Sequence, residues 1–271
     1  MAVRNEERWL GDVLDALERQ TLPLSRVVVV DDGSIDNTPR IIAHYRAEPR
    51  FNLKVVTLPY HPKSKVSTPE LARVWNAGIA LLRDPPIPAY VMILGGDTLL
   101  PPTYVEQIIA KMEQNPNFAV ASGWIVGEPY DADAPYGSSR VIRTLFWTEA
   151  NGMQFHVSYG WEDWVHLKAL QMGYQSCCFR EIHSYVLRKT GNSNGVSYGR
   201  AMYVEGYHWL YAVGASLVRS HYSPKTAGQI LSGYVRPGRI PKLDVSDWVG
   251  NTQKKSIPKK VSQVLRNPLR R

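Results

Sequence analysis

The feature that most constrains this chain is a run of four valines, Val27 to Val30, that ends in two adjacent carboxylates. Four consecutive β-branched residues are typical of a strand that is buried on both faces, as in a parallel sheet. Asp31 and Asp32 end the run and a Gly-Ser turn follows. Thr38 and Pro39 then have the residue types of a helix N-cap and first helical position. The stretch therefore predicts a strand, an acidic turn and a helix in immediate succession.

The acidic turn lies at the carboxyl end of a strand, where open α/β sheets bind ligands. Two adjacent carboxylates are poor ligands for phosphate, because both groups carry negative charge. They suit hydrogen-bond donors, such as a nucleobase N–H or ribose hydroxyls, or a metal ion. The spacing alone is equally compatible with two solvated turn carboxylates beside a helix cap.

The segment from Asp31 to Thr38 resembles the DDGSxDxT signature of family 2 glycosyltransferases, which have the GT-A fold. The resemblance continues to about residue 190. It implies that Asp31, Asp32 and Ser34 hold the nucleotide of a sugar-nucleotide donor.

The family has an apolar strand before its first helix, and that strand ends in a turn that Asn5-Glu6 matches. Only residues 1–4 are left for the strand, so we expect it to be very short or the chain as given to start late. Residues 5–20 then predict an amphipathic helix whose apolar face carries Leu10, Val13, Leu14 and Leu17.

Strand and helix patterns alternate along the first two thirds of the chain. This alternation predicts an α/β fold with a mostly parallel central sheet flanked by helices. Together with the resemblance, it predicts a Rossmann-like GT-A domain over residues 1–200, with a nucleotide-sugar half at 1–123 and an acceptor half at 124–200. Residues 201–271 predict a helical, basic C-terminal extension.

The charge of the chain is unevenly distributed. The 271 residues are 44% hydrophobic, which fits one large domain or a domain with an appendage. Residues 219–271 carry twelve Lys and Arg and two acidic residues, whereas the net charge of the whole chain is +8. The nearly neutral body argues against nucleic acid as a partner, and the basic tail predicts contact with an anionic surface.

Cysteine usage and hydropathy bear on the compartment. Cys177 and Cys178 are adjacent, so on a strand they point to opposite faces, and we expect packing residues in a reducing compartment. We expect no signal peptide, because the start of the chain is charged and has a helical pattern, and no apolar run of roughly 18 residues is present that could span a membrane. We therefore expect a cytoplasmic protein that associates peripherally with a membrane.

Two further segments match the family near the donor diphosphate. Residues 71–78 resemble its ARNxG segment, with Trp75 in place of the arginine, and this implies donor contact by Asn76. Gly95-Gly96-Asp97 stands where the family has Asp-x-Asp, so Asp97 is the one carboxylate left to bind Mn²⁺ or Mg²⁺. His183 is a candidate second ligand. The alternatives are a loop acid before a threonine and a structural histidine.

The acceptor side of the predicted site centres on a helix start. Glu162-Asp163 resembles the Glu-Asp motif of the family, which implies that Asp163 is the general base and that Glu162 binds the acceptor or orients the site. Trp161 and Trp164 flank the pair and are expected to stack on acceptor sugars. The alternative is that two acids in a first helical turn simply complement the helix dipole.

These features predict an inverting glycosyltransferase of hexosyltransferase type with a UDP- or GDP-type sugar donor. The basic tail and an aromatic helix at residues 203–218 point to a lipid-linked or surface glycan acceptor at an anionic membrane. A nucleotidyltransferase and a non-catalytic nucleotide-sugar-binding module are the alternatives.

Overall fold

The computed structural model describes residues 1–47, 52–188, 194–220 and 223–266, with the side chains of 219, 220 and 257–266 left aside. The chain forms two compact units. The first unit comprises Met1–Val66, Glu70–Val157 and Lys168–Gly191. The second comprises Ser67–Pro69, Ser158–Leu167 and Asn192–Arg271.

The first unit contains all of the described strands and the first five helices. In chain order these elements are β1 (Ala2–Val3), α1 (Leu10–Glu18), β2 (Val27–Asp31), α2 (Thr38–Ala47), β3 (Leu53–Thr57), α3 (Glu70–Ala80), β4 (Tyr90–Leu94), β5 (Thr98–Leu99), α4 (Tyr104–Gln114), β6 (Phe118–Ile125), β7 (Ser139–Arg143), α5 (Thr144–Asn151) and β8 (Gln175–Val186). Between α5 and β8, helix α6 (Trp161–Gln171) begins in the second unit and ends in the first.

The valine run forms the middle strand of a parallel sheet with the order β1-β2-β3. All five residues of β2 are buried, as the sequence predicts for a strand covered on both faces. The preceding strand β1 is present but contains only Ala2 and Val3, which pair with Val30 and Asp31. The sheet therefore brings the ends of β1 and β2 to one edge.

The second sheet has the order β4-β7-β6-β8-β5 and is mixed. Only β6 and β8 pair in parallel, whereas the β4–β7, β6–β7 and β5–β8 pairs are antiparallel. The irregular pattern of residues 124–156 gave no indication of β7. This strand returns beside β6 without a crossover helix, which an antiparallel pairing allows.

The core of the first unit lies between helices α1 and α4 and the two sheets. Leu10, Val13, Leu14 and Leu17 are buried there, which confirms the predicted apolar face of α1. Each such side chain contributes about 1.5–3 kcal/mol when fully buried. The helix begins at Leu10 and not at residue 5, because Asn5 has φ 54° and residues 5–9 form a turn.

The second unit is built from α6 and four C-terminal helices: α7 (Gly195–Val204), α8 (Trp209–Ser220), α9 (Pro224–Val235) and α10 (Ser246–Arg266). Met202, Ala212 and Ile230 form the core between α7, α8 and α9. The helix predicted at 203–218 is broken at Gly206, which has φ 82° and packs against the backbone of Ser246.

Within the described residues, the predicted helical extension contains the end of α7 and the helices α8, α9 and α10. Its last residues, 267–271, and the side chains of 257–266 lie outside the described parts. The predicted domain boundary at residue 200 stays a prediction. No described helix is both long enough and apolar enough to cross a membrane.

Candidate functional site

A cavity of about 670 Å³ opens in the first unit where β1 and β2 end. The turn after β1 and Asp32 form one part of its lining, and Lys65, Asp97 and Arg188 form another. Trp75, the residue in place of the family's arginine, also lines it. Of the five candidate donor residues, Asp32 and Asp97 line this cavity, whereas Asp31, Ser34 and Asn76 are not among its lining residues.

Asp32 is a buried carboxylate that lines this cavity. Lys65 Nζ donates to Asp32 Oδ1 at 2.6 Å, and His61 Nε2 lies 3.0 Å from Asp32 Oδ2. The His61 contact lacks hydrogen-bond geometry, so the hydrogen bond of Asp32 to these two side chains is the one from Lys65. A ligand in the cavity can therefore replace Lys65 and His61 as the partners of Asp32.

Asp31 and Ser34 build the turn. Asp31 Oδ1 accepts a hydrogen bond from the Ser34 N–H at 2.9 Å, and Ser34 Oγ accepts from the Asn5 N–H at 3.0 Å. Gly33 has φ 71°, and a Cβ there would lie 2.7 Å from the Pro59 carbonyl oxygen. These contacts shape the turn, while the predicted roles of Asp31 and Ser34 in donor binding stay predictions.

The start of α2 holds the turn after β1. Thr38, which the sequence predicts as the N-cap, is instead the first residue of α2, and its Oγ1 accepts from the Glu6 N–H at 2.7 Å. Asp36 Oδ1 accepts from the Thr38 N–H at 2.9 Å. The DDGSxDxT segment therefore fixes the backbone of Glu6, a residue to which the sequence assigned no role in the site.

Asp97 lies between β4 and β5 and is bound by Arg188. Arg188 Nε donates to Asp97 Oδ2 at 3.1 Å, and Arg188 Nη2 donates to Glu6 Oε1. Burial raises the pKa of Glu6, although the hydrogen bond and charge of Arg188 act in the opposite direction. One guanidinium thus joins two carboxylates from distant parts of the chain at the cavity wall.

His183 is placed differently from the sequence expectation. It was expected to follow the last strand, but β8 extends to Val186 and contains it, because the strand pairs with β6 through Trp124 and His183. The His183 ring lies edge-on to Trp124, with centroids 5.8 Å apart. The described residues contain no group of three or more His, Cys, Asp and Glu that could hold a metal ion. Its role as a ligand stays a prediction.

Asn76 binds protein backbone with both ends of its amide. Its Nδ2 donates to the Phe155 carbonyl at 2.8 Å, and its Oδ1 accepts from the Phe155 N–H at 2.7 Å. This pair of hydrogen bonds ties α3 to the segment after α5. Donor contact by Asn76 stays a prediction.

The predicted base lies in a second pocket, of about 160 Å³, within the second unit. Trp161, Glu162 and Asp163 line it at the start of α6, together with residues of α7. Trp164 is fully buried, and its Nε1 donates to Asp244 Oδ1 at 2.6 Å. Its indole is therefore a core group and offers no exposed face to a sugar, whereas Trp161 lines the pocket.

Glu205 is a buried carboxyl that the sequence analysis missed. It lies against Gly160, whose φ is 72°, and a Cβ at Gly160 would overlap the Glu205 carboxyl. Burial, and after it the negative charge of Asp163, raises the pKa of Glu205 well above its ordinary value. The interior of the second unit therefore favours the neutral form of the Glu205 carboxyl over the charged form. The sequence signal was a lone acid between the apolar stretches of α7 and α8.

The parallel sheet with carboxylates at its strand ends, extended by a mixed sheet, defines the class of the protein: it has the GT-A fold of glycosyltransferases. Residues 1–157 match the sequence profile described as Glycosyl transferase family 2. The chain belongs to this family and is a glycosyltransferase, which disfavours the nucleotidyltransferase alternative. No curated protein sequence matches the chain significantly.

Solved structures support the fold. Staphylococcus aureus TarS 1-349 in complex with UDP-GlcNAc is 18% identical, with a TM-score of 0.55 over 87% of this chain and 70% of that one. The mannosyltransferase PcManGT from Pyrobaculum calidifontis, in complex with GDP-Man and Mn²⁺, is 16% identical, with a TM-score of 0.57 over 94% of this chain and 79% of that one. A longer TarS structure is covered over only 42% of its length.

Proposed function

We propose that this protein transfers a sugar, of hexose type, from a nucleotide-diphosphate-sugar donor to an acceptor hydroxyl with inversion of configuration. The observation that carries the proposal is the cavity at the ends of β1 and β2, in which Asp32 is buried beside Lys65 and near Asp97. The similar structures contain UDP-GlcNAc in TarS and GDP-Man in the mannosyltransferase, which supports a UDP- or GDP-type donor.

The cavity supplies complementary charges for such a donor. Asp32 would accept hydrogen bonds from the base or ribose, and Lys65, released from Asp32, would offer its ammonium group to the diphosphate. Asp32 directly follows β2, and Lys65 lies in the loop between β3 and α3. Binding then requires an exchange of partners and no rearrangement of the strands.

A divalent cation fits the donor set of this cavity. Carboxylate oxygens are the ligands that Mn²⁺ and Mg²⁺ prefer, and Glu6 Oε2 is buried without a hydrogen-bond partner among the described residues. Asp97 is the cavity residue that would hold the ion. Once bound, it would neutralise charge that develops on the leaving diphosphate.

Asp163 is the proposed general base. Transfer with inversion is a single displacement: the acceptor oxygen bonds to the anomeric carbon, the bond to the diphosphate oxygen breaks, and Asp163 takes the acceptor proton. The start of α6 stabilises the Asp163 carboxylate through the helix dipole. Glu162 and Trp161 line the same pocket and are the proposed acceptor contacts.

The acceptor is proposed to be a lipid-linked or surface glycan at an anionic membrane. Helix α8 exposes Trp209, Leu210, Leu217 and Val218. The twelve Lys and Arg of residues 219–271 add positive charge to the same C-terminal part of the chain. Apolar side chains and basic residues together favour a peripheral membrane contact on the cytoplasmic side.

A thermal-shift panel tests the donor assignment. UDP-, GDP- and dTDP-sugars are added with Mn²⁺ or Mg²⁺, because a ligand that binds only the folded protein raises the melting temperature. We expect a UDP- or GDP-sugar to raise it for the wild type and not for Asp32→Asn. Stabilisation without any release of nucleotide on prolonged incubation would favour the non-catalytic binding module instead.

A further inference from the structure

The turn that carries Asp97 is packed directly against Glu6. A Cβ at Gly96 would lie 2.9 Å from Val3 Cγ1 and 3.2 Å from Glu6 Cγ, so this glycine allows the close approach. The hydrogen bond from the Glu6 N–H to Thr38 Oγ1, at 2.7 Å, fixes the other side of Glu6. Glu6 is therefore positioned at the Asp97 turn by two separate elements.

The Glu6 carboxylate is poorly satisfied in this position. The residue is only 9% exposed, and Oε2 has no hydrogen-bond partner among the residues that the structure describes. Oε1 accepts from Arg188, which also binds Asp97. A buried carboxylate oxygen without a partner is costly, and a cation that bridges Glu6 and Asp97 would remove this cost.

The position that the family fills with an aspartate is closed in this chain. A Cβ at Gly95 would lie 2.8 Å from Thr98 Oγ1 and 3.1 Å from Asp97 Oδ1, and Thr98 is fully buried. An acid at residue 95 would therefore displace the side chains that shape the turn. A second carboxylate has to come from another element.

We propose that Glu6 is that second carboxylate: Glu6 and Asp97 together bind the divalent cation, and Arg188 holds both groups until the cation displaces it. The proposal rests on the metal-assisted function above. Two carboxylates are enough because such ions complete their shell with water or with phosphate oxygens of the substrate. Arg188 is half exposed, so it can leave the two carboxylates without breaking the core.

The test measures binding of Mn²⁺ alone, by electron paramagnetic resonance of the free ion, to full-length variants without nucleotide. We expect Glu6→Gln and Asp97→Asn each to weaken binding roughly tenfold, because each removes one of two anionic ligands. Arg188→Gln should tighten binding at least severalfold, because it removes the competing cation. Glu7→Gln, in the same turn but bound to Asn37, is the matched control and should bind like the wild type.

Three results would overturn the proposal: no Mn²⁺ binding by the wild type at millimolar concentration, equal affinity of the Glu6→Gln and Glu7→Gln variants, or unchanged or weaker binding by Arg188→Gln. Melting temperatures establish that each variant is folded, and the Arg188→Gln result decides the competition even if Glu6→Gln fails to fold. Because no nucleotide sugar is present, these outcomes are independent of whether the protein transfers a sugar.

Discussion

At the scale of single residues, the sequence singles out Asp32 and Asp97, which line the cavity, but not the cationic side chains that bind them. Asp32 follows β2 of the parallel sheet and Asp97 follows β4 of the mixed sheet, and both line the same cavity. Arg188 and Glu6 meet them from opposite ends of the first unit. Such a pairing depends on tertiary packing, so the spacing of residues along the sequence does not indicate it.

The role of Asp163 is tested by Asp163→Asn. An amide cannot take the acceptor proton, and loss of a general base costs about 10²–10⁴-fold in rate. We expect transfer to fall by that factor while the affinity for the nucleotide sugar is unchanged. Asp247→Asn is the matched control, because Asp247 also lies in the first turn of a helix. Activity of Asp163→Asn within a few-fold of Asp247→Asn would reject the role.

The buried carboxyl of Glu205 leads us to expect that the stability of the protein depends on pH. Its pKa is raised in the folded state, so the folded protein keeps a proton that the unfolded chain releases, and stability falls as pH rises above the unfolded pKa. The glutamine of the Glu205→Gln variant cannot ionise in either state, so the variant does not lose stability in this way as pH rises. In urea unfolding between pH 5 and 8, the free energy of unfolding of the variant should rise relative to that of the wild type, by up to about 1.4 kcal/mol per pH unit.

The exposed residue Glu149, on α5, provides the control for this measurement. Glu149→Gln should follow the wild type at every pH, because the Glu149 side chain is exposed to solvent in the folded protein. A constant difference between Glu205→Gln and wild type across the pH range would contradict a raised pKa of Glu205 in the folded protein.

At the scale of elements, regular periodicity was reliable and irregular segments were not. The apolar face of α1 and the buried strand β2 follow from local pattern. Strand β7 lies in a segment rich in turn residues, and its existence depends on pairing with β4 and β6. The break between α7 and α8 depends on the backbone of Ser246, which the local sequence does not contain.

In the turn before α6, the close packing of Gly160 predicts that substituting it destabilises the protein. Gly160→Ala places a Cβ at a positive φ and into the Glu205 carboxyl. The backbone strain costs about 1 kcal/mol, and the overlap adds about 1–3 kcal/mol. Gly152→Ala and Gly173→Ala are matched controls, because both glycines have positive φ but nothing within 4 Å of a Cβ.

Chemical denaturation should therefore rank Gly160→Ala clearly below both controls in free energy of unfolding. In the Glu205→Ala background the extra cost of Gly160→Ala should shrink toward that of the controls, because the overlapping group is gone. If all three glycine variants lose the same stability in the wild-type background, the close contact of Gly160 with Glu205 is wrong.

At the scale of the whole molecule, the proposed membrane contact is tested through charge. Residues 251–271 carry seven Lys and Arg and no acid. Truncation is unsuitable, because it would remove hydrogen bonds to α8 and to the residue before it. Gln253 accepts a hydrogen bond from the His208 N–H, just before α8, and Ser256 bonds to Tyr211 within α8. Replacing Lys254, Lys255, Lys259 and Lys260 by Gln keeps the chain length and removes about 1 kcal/mol per engaged charge.

Flotation with vesicles rich in phosphatidylserine is the measurement. We expect the wild type to bind at low salt, the four-Gln variant to bind more weakly, and high salt to release both. Vesicles of phosphatidylcholine alone serve as the uncharged control. Equal flotation of the two proteins at low salt would remove the basic extension from the mechanism and favour an acceptor in solution.

The central claim is that the Asp32 cavity binds a nucleotide sugar that the protein then turns over. The most direct measurement uses the nucleotide sugar that raises the melting temperature of the wild type. Its binding is measured by calorimetry, and nucleotide release is followed in parallel, for wild type, Asp32→Asn and Asp163→Asn. We predict binding and release by the wild type, at least tenfold weaker binding by Asp32→Asn, and binding without release by Asp163→Asn. Undiminished binding by Asp32→Asn would contradict the account, because the donor would then bind elsewhere.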